Sequence, residues 1–355
     1  MDSNRQTKGP WVIKFLIMAL PIGTIILGAI SFVFYFKGKD EKPMPDRELA
    51  AMLRKDIDQN DLIRHVETLS VGPRNHLHPQ MLATAAAYLE STLGRMNMGY
   101  AVERQVFEVD EVEYFNLIAE LPGTGKKADE IIVVGAHYDS AGDAPGADDN
   151  ASGVAVLLGV AHAMTGTENS RTIRFVAFAN EEPPFFRTDG MGSRVHARSC
   201  VKAGDNVVAM ISLESLGYYT DEPNSQRYPD GLDAVAAGYP TTGNFLAVVG
   251  NTTSKKLVDG FVNAYQKHLT EAKLTSPSSV PAIGASLPPL MPWVNASDHW
   301  SYWQEDIPAI MVTDTAPLRN PHYHKTSDTP DTLDFDRMTS VARGVEAALQ
   351  QLANP

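Results

Sequence analysis

A chain of 355 residues, 43% hydrophobic and 21% charged, holds enough apolar side chains for a large core in one or two domains. The single cysteine, Cys200, excludes an internal disulfide, so stability rests on packing, with any further help coming from bound metal. The formal charge of −13 conceals an asymmetry: residues 1–39 carry five Lys/Arg and one acid, leaving 25 Lys/Arg against 42 Asp/Glu downstream, a balance of −17 that argues against nucleic acid as a partner.

The first segment stands apart. Residues 15–36 read FLIMALPIGTIILGAISFVFYF, 22 residues without a charge, long enough as a helix to cross a hydrocarbon core of roughly 30 Å. They are expected to form a transmembrane anchor, with a tail over 1–14 before it and a charged, proline-containing juxtamembrane linker over 37–46 after it. The stretch is long for a cleaved signal peptide, and no small-x-small site follows it. Arg5, Lys8 and Lys14 precede the span while Lys37, Lys39, Lys42 and Arg47 follow it, so flanking charge leaves the orientation open.

Residues 47–355 form the globular domain. Apolar positions recur at helical spacing over 47–70 and 79–97, and VERQVFEV (102–109) alternates as a strand does. Strands are expected at 116–121 and 131–136. VAVLLGVAHAM (154–164) then places apolar residues 154, 157, 158 and 161 on one helical face, before the strand TIRFVAFA (172–179). A helix near 191–203, strands at 207–213 and 245–250, a helix from about 253 to 270, a strand at 307–313 and a closing helix over 335–352 complete the series. Alternating strands and helices predict an α/β fold: a three-layer α/β/α sandwich with a mixed, largely parallel central sheet. The stretches 219–242 and 274–296, rich in Pro, Gly, Ser and Asn, are expected as long loops over one side of that sheet.

Ligands of such folds bind outside the carboxyl ends of the strands. His137 and Asp139 follow one strand, with Asp148 and Asp149 in the next loop; Glu181 and Glu182 follow another, Glu214 a third, and His324 lies in the loop after the last. Singly, an Asp before a helix is a cap and a loop Glu is solvated. Together they crowd carboxylates at one sheet edge, where a cation relieves the repulsion. Imidazole and carboxylate without thiolate suit zinc, with manganese or cobalt as substitutes, and two histidines with three or four acids suffice for two ions.

The series HYD (137–139), GADDNASG (146–153), NEE (180–182), LESLGYY (213–219), SDH (297–299) and YHKTSDTPDTLD (323–334) resembles the M28 family of dinuclear zinc peptidases, over roughly residues 60–350. The resemblance implies that His137 and Glu214 hold one metal, Glu182 and His324 the other, and Asp149 bridges them. Asp139 would orient the His137 imidazole, the Asp149–Asn150 peptide would be cis, and Glu181 would be the general base. The chain departs from the pattern at Glu214, where many members have Asp, and at Val294, where some aminopeptidases of the family place a tyrosine. Tyr323, as in the glutamate carboxypeptidase branch, is the candidate to bind the oxyanion in its place; packing is its other role. Asp298 resembles a substrate-side acid of the related glutaminyl cyclases, or caps the segment after it. Phe185 and Phe186 wall a specificity pocket or fill core.

The resemblance implies an exopeptidase acting on peptides, on the extracytoplasmic side of the membrane (periplasmic or extracellular). An anionic cleft favours a substrate ammonium, hence an aminopeptidase. A carboxypeptidase or dipeptidase would need Arg187, Arg194 or Arg319 to hold the substrate carboxylate. A noncatalytic receptor ectodomain on the same fold would have lost the ligands, which are all present.

Overall fold

Three helices lead into the sheet of the computed structural model, which describes residues 47–229, 232, 238–272, 278–291 and 293–355. The anchor expected over 15–36 and the linker over 37–46 lie outside the described residues, and among the described residues no helix is long and apolar enough to cross a membrane. The helices are α1 (Arg47–Leu53), α2 (Gln59–Leu69) and α3 (Pro79–Leu93). The Asp58 carboxylate caps α2 by accepting the N–H groups of Asn60 at 2.9 Å and Asp61 at 3.3 Å, which the helix cannot satisfy itself.

Eight strands follow: β1 (Glu103–Val109), β2 (Val112–Leu121), β3 (Glu130–His137), β4 (Thr172–Phe178), β5 (Asn206–Glu214), β6 (Leu246–Asn251), β7 (Ala282–Leu287) and β8 (Ala309–Thr313). Between and after them run α4 (Gly153–Met164), α5 (Gly192–Ala203), α6 (Lys255–Glu271), α7 (His299–Trp303) and α8 (Phe335–Ala353). The sheet order is β1-β2-β4-β3-β5-β8-β6-β7. Its centre, β4-β3-β5-β8, is parallel, as is the β6/β7 pair, while β1/β2, β2/β4 and β6/β8 pair antiparallel. The sheet is thus mixed, as the alternation of elements predicted.

Side-chain alternation builds the layers. Ile132, Val134 and Ala136 of β3 join the cluster of Leu157, Leu158, Val345 and Leu349 from α4 and α8, whereas Ile131 and Val133 join Ala197 of α5 and Tyr302 of α7 on the opposite face. A strand buried on both faces reads as the unbroken apolar run Ile131–Val134. The segment 274–296 departs from expectation: it contains β7, an edge strand of small and half-buried residues paired with β6 through Leu246↔Ala282 to Asn251↔Leu287.

This order sets the site. Four parallel neighbours bring their carboxyl ends to one edge, with Glu214 beside Thr313 and His137 beside Phe178.

Candidate metal centre and active site

His137 is the last residue of β3, and its ring is fully buried. Its Nε2 lies 3.2 Å from Asp149 Oδ1 and 3.2 Å from Glu214 Oε2, with Glu181 Oε2 at 3.9 Å. On the other side, His324 Nε2 lies 3.0 Å from Asp149 Oδ2 and 3.4 Å from Glu182 Oε1. Asp149 therefore turns one oxygen to each histidine. These contacts are close but make no hydrogen bond for His137 Nε2, Asp149 Oδ1 or Glu182 Oε1, which are buried and without partners. Buried polar atoms left unpaired cost several kcal/mol in total. Three sets, His137/Asp149/Glu214, His137/Glu181/Glu182 and Asp149/Glu182/His324, each bring their ligand atoms within 4.8 Å of one another. Unsatisfied imidazole and carboxylate atoms facing common points fit divalent metal, and zinc above others.

Ionisation follows the crowding. Burial pushes the Glu181, Glu182 and Glu214 carboxyls up, Glu182 to about 7, with neighbouring acids adding to the shift. Burial opposes charge on His137, but Glu214 and Glu181 outweigh it and hold the imidazole well above its ordinary value. His324 is likewise pushed up, to about 10, because Asp149 and Glu182 outweigh its desolvation. Burial would raise Asp149 as well, yet its two histidines bring it below the usual carboxylate range. Without a cation the cluster retains protons that metal binding would release.

Backbone contacts fix the acids. Asp139 accepts the N–H groups of Glu181 at 3.1 Å and Glu182 at 3.0 Å, and its Oδ1 lies 3.5 Å from His137 Nδ1. The Asp149–Asn150 peptide is cis. Gly146 opens that turn in the left-handed region (φ 63°), where a Cβ would come within 2.3 Å of the Asp149 carbonyl oxygen. Asn180 and Ser215 take positive φ where the chain leaves the sheet, and His324 does so in the loop that presents it.

Other expectations fare differently. Asp148 is no helix cap: it is buried, accepting the Gly217 N–H at 2.9 Å and Asn320 Nδ2–H at 2.6 Å. Asp143 is exposed, 3.4 Å from His78. Asp298 precedes α7 without accepting a capping bond, and both its oxygens are buried and unpartnered. Burial pushes its carboxyl up to about 7. The Tyr323 ring stacks on His324 at 3.8 Å, and burial raises its hydroxyl. Phe185 packs edge-on against Tyr114 and His76, so it belongs to the core, and Arg187 lies over Phe186. Arg187 donates to the Asn295 carbonyl, Arg194 pairs with Glu305 at 2.5 Å, and Arg319 is buried over Phe245 with Gln226 at 2.9 Å.

An apolar cavity opens beside Glu214 and Tyr323. Ala247, Val249, Ile283, Ala285, Leu287, Met311 and Thr313 form its floor from the face of β6, β7 and β8 opposite the α6/α8 side, and Val294 closes one wall. Several of its polar groups are engaged within the protein: Gln226 donates to the Arg227 carbonyl, the Tyr228 hydroxyl to the Pro240 carbonyl, and Thr313 Oγ1 accepts from the Thr315 N–H. Among the described residues, none that lines it is a Lys or Arg.

Sequence reasoning missed three supports. Ser297 donates to Glu214 Oε2 at 2.7 Å, and Asp328 accepts the N–H groups of Asp148 at 2.9 Å and Asp149 at 3.2 Å. Both stand inside quoted motifs. Arg74, which bonds the loop behind His137, stands in none.

The model of the family described as Peptidase family M28 matches residues 116–349, about two thirds of the chain. The chain is 39% identical over 286 residues to "Uncharacterized protein YfbL" of Escherichia coli (strain K12), covering 78% of this chain and 83% of that protein. It is 24% identical over 321 residues to "Probable leucine aminopeptidase" of Arthroderma otae, covering 86% and 75%. Among solved structures, the LapA aminopeptidase of Legionella pneumophila superimposes with a TM-score of 0.64 at 20% identity, covering 87% of this chain and 75% of that one, a likeness of fold.

Proposed function

Because the chain belongs to peptidase family M28, we propose that this metallo-exopeptidase is a zinc-dependent aminopeptidase with two ions in its centre. The observation that carries the reading is Asp149, whose oxygens face His137 and His324 separately, at 3.2 and 3.0 Å. His137 and Glu214 would hold one ion, Glu182 and His324 the other, with Asp149 shared. Zinc bound there supplies a water of lowered pKa and a Lewis acid for the scissile carbonyl.

The chain's own groups do the rest. Glu181 is buried, its Oε2 lies 3.9 Å from His137 Nε2 beside the cluster, and it would accept the proton of the attacking water. As water oxygen bonds to the carbonyl carbon and the C–N bond breaks, that proton passes to the leaving amine. Tyr323, at the joint between cluster and cavity, is placed to donate to the developing oxyanion.

The cavity favours an N-terminal residue as the part recognised. Its wall offers apolar surface and it reaches the Glu214 carboxylate at the cluster, which suits an apolar side chain beside an ammonium. Among the described residues no lysine or arginine lines the cavity to meet a terminal carboxylate: Arg187 bonds Asn295, Arg194 pairs with Glu305, and Arg319 bonds Gln226 through Nε, with its buried Nη2 left unpartnered. Hydrolysis of free, N-blocked and C-amidated peptides, with and without chelator, tests this. Chelator-sensitive cleavage of free and C-amidated peptides is expected, and cleavage of N-blocked but not C-amidated peptides would sink it. Attachment through residues 15–36, with the catalytic domain extracytoplasmic, belongs to the same proposal. Protease added to cells whose outer envelope has been opened, with the inner membrane intact, should then remove the domain from the membrane fraction.

A further inference from the structure

Arg74 lies outside the span matched by the family and is 1% exposed. It forms no ion pair among the described residues. Its guanidinium donates instead to backbone carbonyls: Nε to Tyr138 at 2.7 Å, Nη1 to Leu69 at 3.2 Å and to Pro145, and Nη2 to Gly146 at 2.9 Å. Its own backbone is paired both ways with Ser140, at 3.0 Å each.

These partners are not scattered. Tyr138 stands between His137 and Asp139, while Gly146 begins the turn that delivers Asp149. One side chain thus pins both ends of the loop 138–146 that separates two of the candidate ligands. Burying a guanidinium against neutral carbonyls is costly, and an apolar side chain would fill the space without that cost. What compensates is the surrounding field: Asp139, Asp328, Asp149 and Glu182 act favourably on the cation, which burial brings down to about 10, so it stays charged at neutral pH. Only a planar fork reaches Leu69, Tyr138, Pro145 and Gly146 together, whereas an ammonium is a point charge on one stem.

We propose that Arg74 is the positioning residue of the metal centre: by holding both ends of the loop 138–146 it sets the separation of His137 from Asp149, so that metal affinity depends on it. The inference rests on reading the cluster as a metal centre.

The test uses the full chain as wild type, Arg74→Lys and Arg74→Gln, with Asn75→Ala as control. Asn75 ties the middle of the same loop, donating to the carbonyls of Ser140 and Gly142 at 2.7 Å each. Zinc affinity is read by chelator competition, ligand geometry by the visible spectrum of the cobalt-loaded protein, and folding by far-ultraviolet circular dichroism of the metal-free form. The Lys variant should fold, bind zinc about 10- to 100-fold more weakly, and show an altered cobalt spectrum, with kcat lowered and KM nearly unchanged. The Gln variant should be weaker still. The control should lose thermal stability while keeping zinc affinity and spectrum. Wild-type affinity and spectrum in both Arg74 variants would overturn the inference. So would failure of both to fold, or equal loss of affinity in the control. Wild type binding no zinc would overturn the metal-centre reading itself, whereas two zinc ions held equally by wild type and Arg74→Lys would overturn this inference alone.

Discussion

Filling the apolar cavity should separate substrates by side-chain size. Ala285 lies on the floor, on the edge strand β7 and only partly buried, so Ala285→Phe projects a ring into the cavity with no central strand to disturb. A leucine or phenylalanine side chain fully buried there gains about 1.5–3 kcal/mol over an exposed one. At 1.36 kcal/mol per decade, its exclusion should cost about 10- to 150-fold in kcat/KM. Alanyl substrates, which barely enter the cavity, should lose less than threefold by the same reasoning. The assay is hydrolysis of leucyl, phenylalanyl and alanyl p-nitroanilides by wild type and variant at equal zinc loading. Parallel losses for all three, or none for the leucyl substrate, would refute the assignment of the cavity to the N-terminal side chain.

Glu181→Gln keeps shape and removes the proposed base; turnover should fall about 10²- to 10⁴-fold with zinc content unchanged, as measured kinetics and elemental analysis would show. Asp328→Ala leaves the N–H groups of Asp148 and Asp149 unpaired, at roughly 1–3 kcal/mol for each buried donor; calorimetry should show a lower Tm, and chelator competition a weaker zinc site. Burial pushes His65 down to about 4, so its folded form resists the proton that the unfolded chain accepts from pH 6.5 downward. Its contribution to stability is therefore intact above pH 6.5 and falls as pH drops toward 4, by on the order of 3 kcal/mol. Denaturant titrations of wild type and His65→Phe over that range should converge as pH falls; curves that stay parallel would contradict it.

The catalytic edge was legible because parallel strands bury both faces and stop at charge. Largely apolar runs end at His137 and Glu214, and just before Asn180 and Glu181, so each run names both a strand and the residues it presents. Asp148 was legible as a loop or capping acid, and it is the first of these, for a local reason. An acid doublet before a helix reads as capping, whereas the turn after Gly146 sends Asp149 to the histidines and Asp148 inward to Gly217 and Asn320. The strand β7 was hidden because AIGASL lacks β-branched weight and has an edge strand's half-exposed pattern among prolines and serines. Arg74 and Asp328 act on backbone atoms 64 and 180 residues away, contacts with no periodicity to betray them. Insertion of β8 between β5 and β6 likewise depends on pairing that no single segment encodes.

The claim on which the rest depends is a centre for two ions bridged by Asp149. Elemental analysis of the purified protein, followed by zinc titration of the metal-free form with activity read at each addition, tests it most directly. Two zinc ions per chain and at most one in Asp149→Ala are predicted, with activity restored as the wild-type sites fill. Full activity in a protein holding no metal, or two ions retained in Asp149→Ala, would contradict it.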